Sequence, residues 1–128
     1  MQFDFVNDRL APSVESQPTV ALRHWRILVR GNADLHLIAQ LDSGSLRVTS
    51  TLQCVELAQG TVTTESGRSY RLCAPPEKDE VLLSLMRRYA LREIQSVTGD
   101  VSEEVWRAIS SGAWPAGMEP LLPRVQRA

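Results

Sequence analysis

The sequence predicts an α+β domain: an antiparallel meander sheet of about five strands, able to curl into a half-barrel, with two C-terminal helices packed on one face. Three observations lead to this prediction. Residues 21–73 alternate apolar and polar side chains between short glycine-containing turns, the period of half-buried strands. Residues 77–111 instead show the helical spacing of apolar side chains. Strands that precede helices, rather than alternating with them, are typical of the α+β class.

The composition is that of an ordinary globular domain. Hydrophobic residues make up 43% of the 128-residue chain and charged residues 23%, and the net charge is −1. These values exclude a disordered acidic tail, a collagen-like repeat and a disulfide scaffold. The length predicts one domain at 21–128, preceded by an extended arm at 1–20 whose first apolar residues, Phe3, Phe5 and Val6, dock as an edge strand.

Neither a targeting signal nor a membrane span is predicted. The opening string MQFDFVNDRL contains acidic residues, and no segment reaches the roughly 20 apolar residues that a membrane span requires. We therefore expect a cytoplasmic protein without membrane association. Cys54 and Cys73 fall on predicted strands that are separated by another strand, so we expect reduced thiols rather than a disulfide.

The hydrophobic register determines the first turn. A three-residue turn at 31–33 sets Val29 opposite Leu35, whereas a two-residue turn would set Val29 against His36. The longer turn is predicted because it keeps one sheet face apolar. It places the odd-numbered side chains of the first strand, such as Trp25, in the core. The predicted strands are residues 22–30, 34–42, 45–56, 61–64 and 68–73.

The same argument predicts different loop lengths at two Ser-Gly pairs. At the first pair, a two-residue loop matches Leu41 with Leu46. At the second, a three-residue loop, residues 65–67, is needed to set Val62 beside Tyr70, with glycine in the left-handed position of a bulge. The register, and not the dipeptide, therefore selects the turn type.

Two helices are predicted after a pair of consecutive prolines that ends the sheet region. The first ends near Gly99, and Asp100, with a glutamate three residues later, starts the second at about 101–111. The second helix ends at Gly112, and the tail at 112–128 contains three prolines that exclude a regular helix. The apolar stripe of the first helix consists of Leu82, Leu85, Met86, Tyr89, Ala90, Ile94 and Val97.

The outward face of the predicted sheet is polar and mildly basic. It suits a polar or acidic partner, and its alternative interpretation is a solvated sheet face. On the first helix, Arg88 and Arg92 form a like-charge pair four residues apart, which an acidic partner would stabilise. The sheet face consists of His24, Arg26, Leu28, Arg30, His36, Ile38, Gln40, Arg47, Thr49, Thr51 and Gln53. The predicted partner-binding residues are His24, Arg26, His36, Arg47, Arg88 and Arg92.

No reactive or metal-binding pattern is evident. The predicted register places His24 and His36 on the order of 13 Å apart, too far to share one metal ion. The sequence contains no glycine-rich phosphate loop, HExxH or CxxC string. The acidic pairs at 79–80 and 103–104 fall in first helical turns, where the helix dipole accounts for them. We predict no catalytic residue, no metal and no cofactor.

These observations predict a small non-enzymatic protein-binding module of the inhibitor, immunity or adaptor type, acting by steric occlusion or assembly on a partner with an acidic surface. The alternative is nucleic-acid binding through the same face, although residues 21–75 carry only six arginines against four acidic residues. A small hydrolase or transferase is a third hypothesis, and a homodimer formed through open strand edges is a further alternative. The string TVTTESGRSYRL resembles a hairpin of small bacterial proteins, but a bulged turn alone explains it, and no family follows.

Overall fold

The computed structural model describes residues 19–117 and 119–123. The predicted docking of Phe3 and Phe5 therefore lies outside the described residues. The elements in chain order are β1 (Val20–Leu22), β2 (His24–Arg30), β3 (Leu35–Gln40), β4 (Leu46–Glu56), β5 (Thr61–Thr64), β6 (Ser69–Leu72), α1 (Glu80–Glu93), β7 (Val97–Asp100) and α2 (Ser102–Ser111). None of the described helices is both long and apolar enough to cross a membrane.

The described strands form one sheet in the order β1-β6-β5-β4-β3-β2-β7. β1 runs parallel to β6, and every other neighbouring pair is antiparallel. The predicted α+β class and the meander from β2 to β6 are confirmed. The sequence prediction of about five strands missed the two terminal strands, and the sheet is not closed into a barrel.

The β4–β5 turn spans residues 57–60, and the other three hairpins of the meander have three-residue loops. The third loop residue has a left-handed backbone in each of them: φ is 73° at Ala33, 91° at Gly44 and 92° at Gly67. The predicted lengths of the first and third loops are confirmed, and the two-residue loop predicted for the second is wrong. The closing hydrogen bonds, at 2.8–2.9 Å, run from Arg30 N to Asp34 O, Leu41 N to Ser45 O and Thr64 N to Arg68 O.

The longer second loop changes the side of the sheet on which the first residues of β4 pack. Leu46 pairs with Gln40 and Val48 with Ile38, one position away from the predicted register. Leu46 and Val48 consequently pack with Ile38 instead of with the Trp25 side of the sheet. A bulge farther along restores the predicted register, so that Leu52 returns to the Trp25 side.

The two helices pack on opposite faces of the sheet. α2 places Val105 and Ala108 in the main core with Trp25, whose ring centroid lies 6.1 Å from that of Trp106. α1 covers the other face in a second core, formed by Leu28, Ile38, Met86 and Ala90. The prediction that both helices cover one face is therefore wrong. The alternation itself is confirmed, because Trp25 and Ile27 are fully buried on the side opposite Leu28.

Strand β7 explains why the helices separate. α1 ends at Glu93, and the chain reverses through Ser96, whose φ is 62°, before β7 pairs antiparallel with β2. The β-branched pair Val97 and Thr98 favours a strand here, and Gly99, predicted to end a helix, lies within that strand. β7 then leads directly into α2 on the other face of the sheet. The predicted end of the second helix at Gly112 is confirmed, with φ at 83°.

Candidate functional site

The structure does not bring the six predicted partner-binding residues together on one surface. Four of them lie on the sheet, and three of these, His24, Arg26 and His36, make contacts that hold the fold. Arg88 and Arg92 lie exposed on α1. The open polar sheet face does not exist as predicted, since α1 covers much of it.

Arg26 connects three segments of the chain. Its guanidinium donates to both carboxylate oxygens of Asp100, at 3.0 and 3.1 Å, and to the backbone carbonyl of Glu77 at 3.0 Å. Glu103 of α2 adds an ion pair at 3.5 Å. Burial raises the pKa of Asp100, but the hydrogen bonds from Arg26 and Ser102 together outweigh burial and hold that pKa below its usual value. Arg26 is therefore a structural cation and not a free contact residue.

His24 is half exposed and forms a pair with Glu77. Its Nδ1 lies 2.6 Å from Glu77 Oε1, while Glu77 Oε2 accepts from the backbone N–H of Asp79 at 3.0 Å. Burial raises the pKa of Glu77, and the contacts with His24 and the backbone N–H groups bring it below its ordinary value. The pair anchors the loop that precedes α1, where Asp79 is the N-cap.

His36 is buried and serves the sheet. Its Nδ1 lies 3.0 Å from the carbonyl oxygen of Thr49, and its Nε2 has no hydrogen-bond partner among the described residues. The side chain is only 6% exposed, so the prediction of His36 as a surface contact is wrong. The reason is that His36 lies on the face that α1 covers, beside Leu28 across the β2–β3 ladder.

Arg47 lies on the side of the sheet opposite His24 and Arg26. The three-residue second loop pairs Arg47 with Ala39, on the Trp25 side, and its Nη1 lies 3.5 Å from the Tyr70 hydroxyl. The predicted grouping of Arg47 with the two other sheet residues is wrong because the loop is one residue longer than the register argument required.

The outward face of α1 is apolar as well as basic. Val81 is 71% exposed and Leu85 49%, and both lie on the same side of the helix as Arg88 and Arg92. The Arg92 guanidinium lies 5.7 Å from the centroid of the Tyr89 ring. Exposed apolar groups interleaved with arginines distinguish this face from an ordinary solvated helix.

A cleft of about 290 Å³ lies between α1 and β7. Its volume is at the lower limit of cavities that hold whole small molecules, so it suits one side chain of a larger ligand. Leu91, which is 64% exposed, forms part of the α1 wall. The lining is mostly carbon, from Leu28, Ala90, Leu91, Val97 and Gly99, with Arg87 and Asp100 as its polar groups.

The strand beside the cleft has an unpaired edge. Among the described residues, β7 pairs with β2 alone and is the last strand of the sheet. Val101 N donates to Ile27 O at 2.9 Å, and Leu28 pairs with Asp100. Because backbone groups alternate in an antiparallel ladder, those of Asp100 point away from β2. The cleft therefore borders backbone groups that are able to pair with an extended peptide.

The electrostatic surroundings of the cleft are positive. Arg87 also lines a neighbouring shallow depression of about 580 Å³, together with Lys78, Arg88 and Glu80. These four side chains comprise three cations and one carboxylate. Asp100 is ion-paired with Arg26, which offsets its negative charge at the cleft.

The cysteine, histidine and carboxylate side chains of the described residues are dispersed. They contain no group of three or more histidine, cysteine, aspartate or glutamate side chains able to hold a metal ion. Cys54 and Cys73 form no disulfide in the structure. In the described part of the chain, His24 bonds a carboxylate and His36 a backbone carbonyl, so neither histidine is paired with a nucleophile.

Comparison with known proteins adds no functional information. Nothing matched the chain among protein-family models, curated proteins or solved structures. The site is therefore interpreted from its own geometry.

Sequence reasoning missed the cleft residues Leu91, Val97 and Gly99. Leu91 lies off the buried helical stripe, and an apolar residue at such a position is a signal for a contact surface. The spacing of Val97 fits a helix, so the sequence places it in the helical stripe. Only the β-branched pair Val-Thr followed by glycine pointed to an edge strand instead.

Proposed function

We propose that this protein is a non-enzymatic binding module that holds an extended acidic segment of a partner protein in the cleft between α1 and β7. The observation that carries the proposal is the juxtaposition of an apolar cleft, an unpaired strand edge and a cationic helix flank. A peptide that adds to a sheet edge gains affinity from backbone hydrogen bonds and specificity from side chains in the adjacent pocket.

The side chains that line the cleft determine which peptide sequence would bind there. Leu28 and Val97 require one apolar side chain, and Arg87 with Arg88 favours carboxylates on either side of that side chain. β7 has only four residues, so few backbone bonds form and the side chains must supply much of the affinity. Binding would hide the segment from other proteins, which is occlusion of the inhibitor or adaptor type.

The test uses a fluorescent peptide, TDTVTDT, in which aspartates flank a valine, and a control peptide, TKTVTKT. We expect the aspartate peptide to bind at least about tenfold more tightly by anisotropy, since lysines would face Arg87. Leu91→Ser should weaken binding about tenfold, the scale of a lost anchor contact. Leu85→Ser is the matched control: it alters an exposed leucine of the same helix outside the cleft and should change affinity less than about twofold.

Two results would overturn the proposal. One is equal binding of the two peptides, and the other is equal effects of Leu91→Ser and Leu85→Ser. A labelled 20-nucleotide single strand is measured in parallel. Binding of the oligonucleotide that falls steeply with salt, without peptide binding, would assign the helix flank to nucleic acid instead.

A further inference from the structure

We propose that the amino-terminal residues 4–8 of this chain occupy the α1–β7 cleft, so that a partner segment must displace them. This inference rests on the proposed function and concerns the regulation of the same site. Residues 1–18 lie outside the described part, and their sequence contains the pattern that the cleft selects. Val6 is flanked at two-residue spacing by Asp4 and Asp8.

In an extended segment, Asp4, Val6 and Asp8 lie on one side because side chains alternate. That side matches an apolar cleft that is lined by Arg87 and adjoins the depression lined by Arg87 and Arg88. The net charge of the amino-terminal residues is also opposite to that of the arginines near the cleft, since residues 1–20 contain three acidic residues and one arginine. A second copy of β7 and α1 is a poor occupant, since it would bring the same arginines together.

The opposite side of the segment also finds a complementary surface. Gly99 has no side chain, and a Cβ placed on it would lie 4.0 Å from Val29 Cβ. Val29, on the Trp25 side of the sheet, is left half-buried at this edge. Phe3 and Phe5, which alternate with the acidic residues, would face that side and cover Val29.

The chain is long enough for this arrangement. β1 and β2 are separated by Arg23 alone, so Val20 lies at most about 28 Å from Leu28, which pairs with β7. The twelve residues from Asp8 to Val20 span up to about 40 Å when extended. The segment therefore reaches the cleft of its own molecule.

Because residues 4–8 are tethered to the cleft by their own chain, a weak intrinsic affinity is sufficient for them to occupy it. A short flexible linker gives an effective concentration of about 1 mM, so a segment with a Kd of about 0.1 mM keeps the cleft about 90% occupied. Only about one-tenth of the clefts are then free to bind an external peptide, so the apparent Kd of that peptide rises about tenfold.

The experiment compares full chains that differ only in the amino-terminal segment. The test variant carries Asp4→Asn, Val6→Ser and Asp8→Asn, and the control variant carries Glu15→Gln. The peptide TDTVTDT is titrated into each, and sedimentation gives the oligomeric state. We expect the triple variant to bind the peptide about tenfold more tightly than the wild type, the control variant to match the wild type, and all three to be monomers.

The outcomes separate this inference from the proposed function. Equal peptide affinity of the wild type and the triple variant, with a loss on Leu91→Ser, would keep the peptide-binding cleft and overturn its occupation by residues 4–8. No peptide binding to either chain would overturn both. A wild type that dimerises while the triple variant does not would show that the segment reaches a second molecule, which overturns the intramolecular arrangement.

Discussion

Arg26 holds Asp100 through two parallel hydrogen bonds, from Nε to Oδ2 at 3.0 Å and from Nη2 to Oδ1 at 3.1 Å. The pair fastens β7 to β2 at the point where the chain crosses from the α1 face to the α2 face. The same carboxylate accepts from Ser102 N at 2.9 Å and so supports the start of α2. A side chain predicted to contact a partner is instead what positions the cleft wall.

The pair should be strongly coupled. We expect Arg26→Ala to lower the free energy of unfolding by about 3 kcal/mol, because it leaves the partly buried Asp100 without its counter-ion. Asp100→Asn should lower the free energy of unfolding clearly less in the Arg26→Ala variant than in the wild type. Urea unfolding of the four proteins gives the coupling energy. Strictly additive losses would show that the two residues stabilise the fold independently.

Lowering the pH should weaken the stabilisation that the pair of Arg26 and Asp100 provides. The pKa of Asp100 in the folded state is below its ordinary value of 3.8, so the unfolded chain takes up the proton first. The stabilisation is fully present above that ordinary value and is lost as the pH falls through the lower folded-state pKa. The stability difference between the wild type and Asp100→Asn should therefore be largest near neutral pH and shrink below about pH 4. A difference independent of pH would contradict the lowered pKa.

The three hairpins with three-residue loops provide a matched test of backbone strain. Ala33 occupies the left-handed position that glycine fills in the other two loops, where a Cβ costs about 1–2 kcal/mol. Ala33→Gly should stabilise the protein by about 0.5–1 kcal/mol, after allowance for the greater freedom of glycine in the unfolded chain. Gly44→Ala should destabilise it by a similar amount, since no atom lies within 4 Å of the added Cβ and only the backbone is strained. Thermal unfolding measures both, and equal signs would contradict the loop geometry.

Neighbouring residues of α1 should respond differently to truncation. Met86 is fully buried against the sheet, and Met86→Ala should cost about 2–5 kcal/mol. Leu85 is 49% exposed, and Leu85→Ala should cost about 0.5 kcal/mol or less. Chemical denaturation of the two variants checks that α1 packs on the Ile38 face with the orientation described. Similar costs would indicate a rotated helix.

Local sequence patterns were sufficient to predict the strands of the meander and the lengths of its first and third loops. The alternation around Trp25 and Ile27 predicted the buried face of β2 because a half-buried strand has a period of two. The first and third loop lengths followed from the same period. The second loop could not be decided in this way, since Leu46 and Val48 are apolar whichever face they join, and the sequence contains no sign that the other face is buried too.

The sequence by itself determined the strands of the meander, the left-handed Gly67 and the end of α2 at Gly112, because each depends on residues close together in the chain. Only the tertiary structure decided that α1 and α2 lie on opposite faces and that β7 forms an edge strand beside a cleft. Those features involve long-range contacts such as the pairing of Asp100 with Arg26, which is 74 residues away, and no local pattern encodes such a contact. The proposed binding surface therefore lies in the groove that long-range packing creates, and not on the sheet face where the alternation predicted it.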